Sequence, residues 1–304
     1  MAINRVEVRD FLVFKGEFTA EFCSGVNVFI GGNGTGKTTL LRLLYKYKNV
    51  GISTDNSSGL SEKVCVEIIR KPFNNENCNI ILDNRGVKNS VFIPEKDILE
   101  HAKGLLTFIE DKQTGFSSIY KDVLVKAQDV PTQKQTEIQK NIGKIISDKI
   151  SGKVKWDKGD GSFYTIKTNG DRIPFANEAS GFKKLGFLGL LVTCGQLESG
   201  TILFWDEPEN SLNPELVSVL VDILLELSRN GVQVFIATHS ELLANYFLVN
   251  RKKSDAVMFY SLYKDGEHIK YDYSDRFDLL NPNKLTDEPV KLYEKRLDKV
   301  LGDE

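Results

Sequence analysis

The chain has 304 residues, enough for one large α/β domain or one domain with an inserted lobe, and its charge is nearly balanced at 40 Lys plus Arg against 42 Asp plus Glu. No global basic field therefore argues for nucleic acid, although a local patch stays open. The cysteines Cys23, Cys65, Cys78 and Cys194 form no C-x-x-C pair, which speaks against a zinc site, and no long apolar run or signal-peptide core predicts a membrane span, so a cytoplasmic chain is expected.

Residues 3–30 alternate (Ile3, Val6, Val8, Phe11, then Val13, Phe14, Phe18, Phe22), which predicts short strands with turns at Lys15-Gly16 and Ser24-Gly25. An apolar strand at Val26–Ile30 runs into Gly31-Gly-Asn-Gly-Thr-Gly-Lys-Thr38, and a helix is predicted over Thr39–Tyr45. This is the phosphate-binding pattern G-x-x-x-x-G-K-[ST] in the strand–loop–helix context it needs. Its glycines let successive N–H groups turn toward phosphate oxygens, and the helix adds its positive N-terminal end. Lys37 can reach the β- and γ-phosphates, and the Thr38 hydroxyl can hold Mg²⁺. Asn33, Gly34, Thr35, Gly36 and Thr39 complete the expected nucleotide cradle.

Gly51–Ser61 reads as a loop, followed by strands at Val64–Arg70, Asn79–Leu82 and Val91–Ile93 with a turn at Asn74–Asn77. Then the period becomes helical: Ile98, Leu99, Ala102, Leu105, Leu106 and Ile109, a second helix at about 117–129, and Ile138, Ile142, Ile145, Ile146 and Ile150 after Pro131. We read 97–152 as an inserted helical lobe between an N-terminal part, 1–96, and a C-terminal part, 153–304. Two readings of the lobe stand: a solvated bundle with one apolar stripe, or a lid carrying a partner or nucleic-acid contact. Lys134, Lys140, Lys144, Lys149, Lys153 and Lys155 make its end mildly basic.

A hairpin is predicted at Lys153–Trp156 and Phe163–Thr168. Apolar strands at Ile202–Trp205 and Val232–Ala237 then alternate with helices at about 181–196, 214–228 and 240–249. That alternation predicts parallel strands buried on both faces. Strands at Ala256–Tyr263 and His268–Tyr273 and a short amphipathic helix near Val290–Leu301 end the chain.

The run Ile202–Asn210 reads ILFWDEPEN, which puts Asp206 and Glu207 at the carboxyl end of a buried strand, where α/β sheets bind ligands. Buried carboxylates there need a cation. Asp206 would join the Mg²⁺ shell opposite Thr38, and Glu207 would polarise the attacking water. The next apolar strand ends in Ala237-Thr-His-Ser240, so His239 is a candidate sensor of the γ-phosphate. The plain alternatives are an acidic turn after the strand and a structural histidine.

GGNGTGKT, ILFWDEP, Ser211-Leu-Asn-Pro214 and ATHS in this order resemble the ABC-type ATPases, and more narrowly the soluble branch with SMC and RecF proteins and the OLD-type ATPases of bacterial defence systems. The resemblance implies an α/β fold: an ABC-type P-loop ATPase head with an N-terminal antiparallel β subdomain, a central mostly parallel sheet and an inserted helical lobe. The opening Arg5–Gly16 is similar to the family's first strand pair, which covers the nucleotide. Asn177-Glu-Ala-Ser-Gly-Phe-Lys-Lys184 matches the family signature on Ser180 and Gly181, with Phe182 in place of its second glycine; Pro94-Glu95 stands where a glutamine is usual. By resemblance, Ser180 and the helix start at Gly181 contact the γ-phosphate held by an opposite chain, with Lys183 as a supplement, and Ser211-Leu-Asn213 occupies the family's D-loop, so that Asn213 joins Ser180 in that opposite chain's site. Ser180 is also a good helix N-cap residue by its chemistry.

The resemblance further implies ATP and Mg²⁺ as cofactors, hydrolysis to ADP and phosphate, and a head-to-tail homodimer that regulates or powers a separate effector. An anti-phage setting is expected, with nucleic acid left open and no membrane. The alternatives are a RecF- or SMC-like DNA-binding repair ATPase and a transporter's nucleotide-binding subunit, which usually has a better-formed signature.

Overall fold

The computed structural model describes residues 2–47, 66–70, 77–85, 87, 89–105, 118–129, 131–132 and 135–301. The loop expected at Gly51–Ser61, Cys65, most of the turn at Asn74–Asn77, and Leu106 and Ile109 lie outside them.

Among the described residues three sheets form the fold. A mixed sheet of six strands holds β3 (Val26–Gly31), β6 (Asn89–Ile93), β10 (Thr201–Asp206), β11 (Gln233–Ala237), β12 (Val257–Asp265) and β13 (His268–Ser274), in the order β13-β12-β3-β11-β10-β6. All its pairs are parallel except β12–β13. An antiparallel sheet of order β2-β1-β5-β4 contains β1 (Ala2–Phe11), β2 (Phe14–Glu21), β4 (Val66–Arg70) and β5 (Asn77–Arg85). A small antiparallel sheet follows with β7 (Gly152–Asp157), β8 (Ser162–Lys167) and β9 (Arg172–Pro174), the last a strand the sequence pattern did not suggest.

Every residue of β3, β10 and β11 is buried, so both faces of the central sheet are covered. The period of two sorts their side chains. Ile202, Phe204, Phe235, Ala237 and Phe29 face one apolar cluster, with β1, β2 and helix α1 (Lys37–Tyr47). There Phe92, Phe204, Phe235, Phe29 and Tyr260 make a ladder across five strands, with successive ring centroids 6.4, 5.1, 6.2 and 5.0 Å apart. Leu203, Trp205, Val234, Ile236, Val26, Val28 and Ile30 face the other cluster, with α4 (Ser180–Thr193), α5 (Pro214–Arg229) and α6 (Glu241–Asn250). Val123, Leu124 and Ala127 of α2 (Ser118–Ala127), and Ile142, Ile146 and Ile150 of α3 (Glu137–Ile150), join this second cluster. The described part of the apolar stripe read from 97–150 thus meets α4 and the sheet, except Ile145, which is exposed. Gly189 of α4 lets the helices approach: a Cβ there would lie 3.0 Å from Ile146. Helix α7 (Lys284–Leu301) starts earlier than the amphipathic pattern suggested.

Buried amides join the layers. Gln233 Oε1 accepts from the Ile3 N–H at 2.8 Å, and its Nε2 donates to the carbonyls of Ile3 (2.9 Å) and Cys23 (2.8 Å). The first hairpin corrects the sequence reading. It turns at Leu12-Val13, and Lys15-Gly16 lies inside β2. Asp10 and Leu12 take the left-handed φ values, 51° and 52°, that glycine would be expected to supply, and the Asp10 carboxylate accepts from the Gly16 N–H at 2.8 Å. Among the described residues no helix is long and apolar enough to cross a membrane.

Candidate active site

The phosphate loop leaves β3 and enters α1 with Gly31, Gly34 and Gly36 at φ values of 143°, 73° and 94°, where a side chain is strained. Gly36 is also crowded: a Cβ would lie 3.0 Å from both Phe14 and Val13, so the tip of the first hairpin roofs the loop. The Thr35 hydroxyl donates to the Gly32 carbonyl at 2.9 Å and braces the turn. Asn33 and Gly34 are exposed at its crest, and Thr39 is half-buried on α1.

Lys37 is 5% exposed. Its Nζ donates to the carbonyls of Gly31 (2.9 Å) and Gly32 (3.2 Å) and meets His239 Nε2 at 2.9 Å. Burial lowers its pKa, opposed by Glu207, Asp206 and Glu209. The Thr38 hydroxyl donates to Asp206 Oδ1 at 2.9 Å, across the gap between α1 and the end of β10. Asp206 is 4% exposed, and burial raises its pKa, offset by the Thr38 bond.

Glu207 follows with φ at 50°. Its side chain is 13% exposed, and burial together with the neighbouring Glu209 carboxylate pushes its pKa up to about 8. Glu207 Oε1 lies 3.3 Å from His239 Nε2. Burial, then Lys37, lowers the His239 pKa, which favours the neutral imidazole beside the lysine. The structure therefore brings Lys37, Thr38, Asp206, Glu207 and His239 together in two sets of contacts, Thr38–Asp206 and Lys37–His239–Glu207, at the carboxyl ends of parallel strands.

Ser180 and Gly181 begin α4, and Asn213 stands at the start of α5. Ser180 is exposed as the first residue of α4; the N-cap is Ala179, with no side-chain cap bond, so the capping role read from the sequence does not apply. Gly181 is buried, and a Cβ there would lie 3.2 Å from both the Ser211 carbonyl and Leu216. Asn213 caps α5, accepting from the Leu216 N–H at 2.9 Å. Lys183 donates to Glu100 at 2.5 Å. Glu95, beside Pro94, accepts from Asn210 at 3.2 Å.

Two participants escaped the sequence reading. Glu209 accepts from the Thr238 hydroxyl and from the His239 N–H (3.2 Å), so it fixes the histidine strand end beside Glu207. Lys184 donates to the Glu207 carbonyl at 2.9 Å. Their only signals were a third acid in DEPEN and a lysine pair in an apolar helix.

The donor set suits a nucleotide with Mg²⁺. One buried carboxylate and one hydroxyl face a cradle of loop N–H groups, and among the described residues no group of three His, Cys, Asp or Glu could hold a metal alone. Mg²⁺ is commonly bound by one or two carboxylates plus substrate phosphates.

No curated protein matches the chain. Its fold is similar to a solved SMC head bound to the C-winged helix domain of ScpA, at 14% identity over 90% of this chain and 98% of that one, TM-score 0.52. It is also similar to an Smc head domain with an extended coiled coil, bound to the C-terminal domain of ScpA derived from Pyrococcus furiosus, at 12% identity over 97% and 99%, TM-score 0.54. At these identities the likeness is one of fold, the α/β fold of an SMC head domain. The family described as "AAA domain, putative AbiEii toxin, Type IV TA system" matches residues 70–245, a span that starts after the phosphate loop and takes in Ser180, Asp206, Glu207 and His239. That span is more than half of the chain, and the chain belongs to this family.

Proposed function

We propose that the chain binds and hydrolyses ATP, closes head to tail with a second copy around two ATP molecules, and passes the resulting motion to a separate effector in the cytoplasm, with anti-phage defence as its setting. The observation that carries hydrolysis is the pair of neighbouring contact sets, Thr38–Asp206 and Lys37–His239–Glu207. Lys37 holds the β- and γ-phosphates, and Asn33–Thr39 cradles them through backbone N–H groups. Thr38 and Asp206 hold Mg²⁺, which would neutralise charge on the phosphates. Glu207, in its ionised form, would accept a proton from the attacking water as general base, and His239 would sit beside the γ-phosphate.

Head-to-tail closure is supported by the exposure of Ser180 and Asn213, together with the resemblance of their segments to a signature and a D-loop. Two-fold symmetry lets each signature cover the other chain's ATP. The segment 97–152 is an insert whose described helices pack on α4. In a Glu207→Gln background, ATP should move the mass measured by light scattering from monomer to dimer. Adding Ser180→Arg should abolish that shift while ATP still binds the monomer. Hydrolysis by a strict monomer would sink the dimer.

A second reading, a DNA-binding repair head, has one observation in its favour. A groove of about 860 Å³ between α3, β7 and α4 is rimmed by Lys140, Lys144, Lys153, Lys155 and Lys158 and contains Trp156. Duplex binding whose affinity falls with salt by a slope of several charges would favour it over an effector-coupled role.

A further inference from the structure

The helix that begins at Ser180 carries two lysines that the hydrolytic reading leaves without a task. Lys183 and Lys184 are 7% and 5% exposed. A buried ammonium is costly unless it is held. Lys183 is held by Glu100. Lys184 reaches a backbone atom of the candidate base itself: its Nζ donates to the Glu207 carbonyl at 2.9 Å. Asp97, Glu209, Glu95 and Glu207 are the charges around it.

Glu207 is where such a bond matters. Its φ of 50° is one that a side chain other than glycine or asparagine seldom takes. Such a conformation persists only where its surroundings over-determine it. Here the Glu207 N–H donates to the Ala237 carbonyl at 2.9 Å, and its own carbonyl accepts from Lys184. The peptide is gripped from β11 on one side and from α4 on the other. The first turn of α4 is fixed in three places: at Gly181 against Ser211 and Leu216, at Lys183 on Glu100, and at Lys184 on Glu207.

We propose that Lys184 is a positioning residue for hydrolysis: its ammonium holds the Glu207 peptide so that the carboxylate faces the attacking water, and it ties the helix that starts with Ser180 to that carboxylate. The inference rests on the hydrolytic reading above. A shift of the Ser180 helix start moves the donor on Glu207, so contact at the signature is felt at the base through one hydrogen bond.

The test uses the full chain with ATP and Mg²⁺. Lys184→Met keeps the stem and removes the ammonium. Lys184→Met with Asp97→Asn also removes the acid it would leave uncompensated. For either variant kcat should fall on the order of tenfold to a hundredfold, while KM and the affinity for a fluorescent ATP analogue stay within about threefold. A positioning role also predicts non-additivity. In a Glu207→Gln background, Lys184→Met should leave the single-turnover rate within about twofold, because no base remains to be aimed. Lys184→Arg, which keeps a donor, should recover part of the loss.

Unchanged kcat in Lys184→Met overturns the proposal. Equal losses in both backgrounds also overturn it, since they mark general damage. If Glu207→Gln itself hydrolyses normally, the hydrolytic reading falls and this inference with it. A large loss in Glu207→Gln with none in Lys184→Met removes the positioning role alone.

Discussion

Glu207→Gln should stabilise the nucleotide-free protein in base and leave it nearly unchanged in acid. Glu207 binds its proton up to about pH 8 in the folded chain, because burial and the Glu209 carboxylate disfavour its charge. A free glutamate ionises near 4.5. For an acid whose folded pKa is raised, the stabilisation is fully present below the unfolded pKa and is lost as pH rises through the folded one. The window therefore runs from about pH 4.5 to about pH 8. Between pH 5 and pH 8.5 the full linkage difference is about 4 kcal/mol, and water reaching the open side of the site cuts it to roughly 2 kcal/mol. Glutamine keeps the shape without the charge and escapes this loss. At roughly 2 °C per kcal/mol for a chain of this size, the variant should melt about 4 °C higher than the parent at pH 8.5 and within about 1 °C at pH 5. Scanning fluorimetry with EDTA and no nucleotide reads this directly. An equal shift at both pH values, or a lower melting point for Glu207→Gln at pH 8.5, would refute the reasoning.

Lys37→Ala should lose ATP binding by calorimetry, whereas Glu207→Gln should bind ATP and lose at least about a hundredfold in turnover; equal turnover would remove Glu207 from the mechanism. Gly36→Ala should fold yet bind ATP poorly, because φ at 94° and the 3.0 Å approach of Val13 and Phe14 leave no room for a methyl group; parental affinity would contradict this crowding. Gln233→Leu removes the side-chain partner of the Ile3 N–H and Ile3 carbonyl and leaves the Cys23 carbonyl only its bond from Asn27 Nδ2, so urea unfolding should show a loss of about 2 kcal/mol; a loss below about 1 kcal/mol would mean that water or backbone shifts replace those bonds.

The parts legible in the sequence are those written in local pattern. The phosphate loop is a backbone conformation that demands glycines at fixed places, and β3, β10 and β11 are buried throughout and mostly apolar because both their faces are covered. Where the pattern is local but the conformation is not the usual one, the reading slipped. Asp10 and Leu12 turn the first hairpin with positive φ, so Lys15-Gly16 drew the turn to the wrong place. Ser180 offered a capping side chain, yet Ala179 occupies the cap. Glu209, Lys184 and Gln233 escaped for another reason. Each works through a partner distant in sequence: Glu209 through Thr238, Lys184 through Glu207, Gln233 through Ile3. No spacing rule reveals such pairs. The stripe over 97–150 showed its period but not its partner, which is α4 and the central sheet.

The central claim is that each working site takes Lys37, Asp206 and Glu207 from one chain and Ser180 from another. Mixing two inactive variants, Lys37→Ala and Ser180→Arg, tests it most directly. A mixed dimer holds one intact composite site, built from the phosphate loop of the Ser180→Arg chain and the signature of the Lys37→Ala chain, while its other site carries both defects. The account predicts that ATP hydrolysis, absent from either variant alone, returns in part on mixing and peaks near equal proportions. No recovery, with mixed dimers demonstrated by mass, would contradict it.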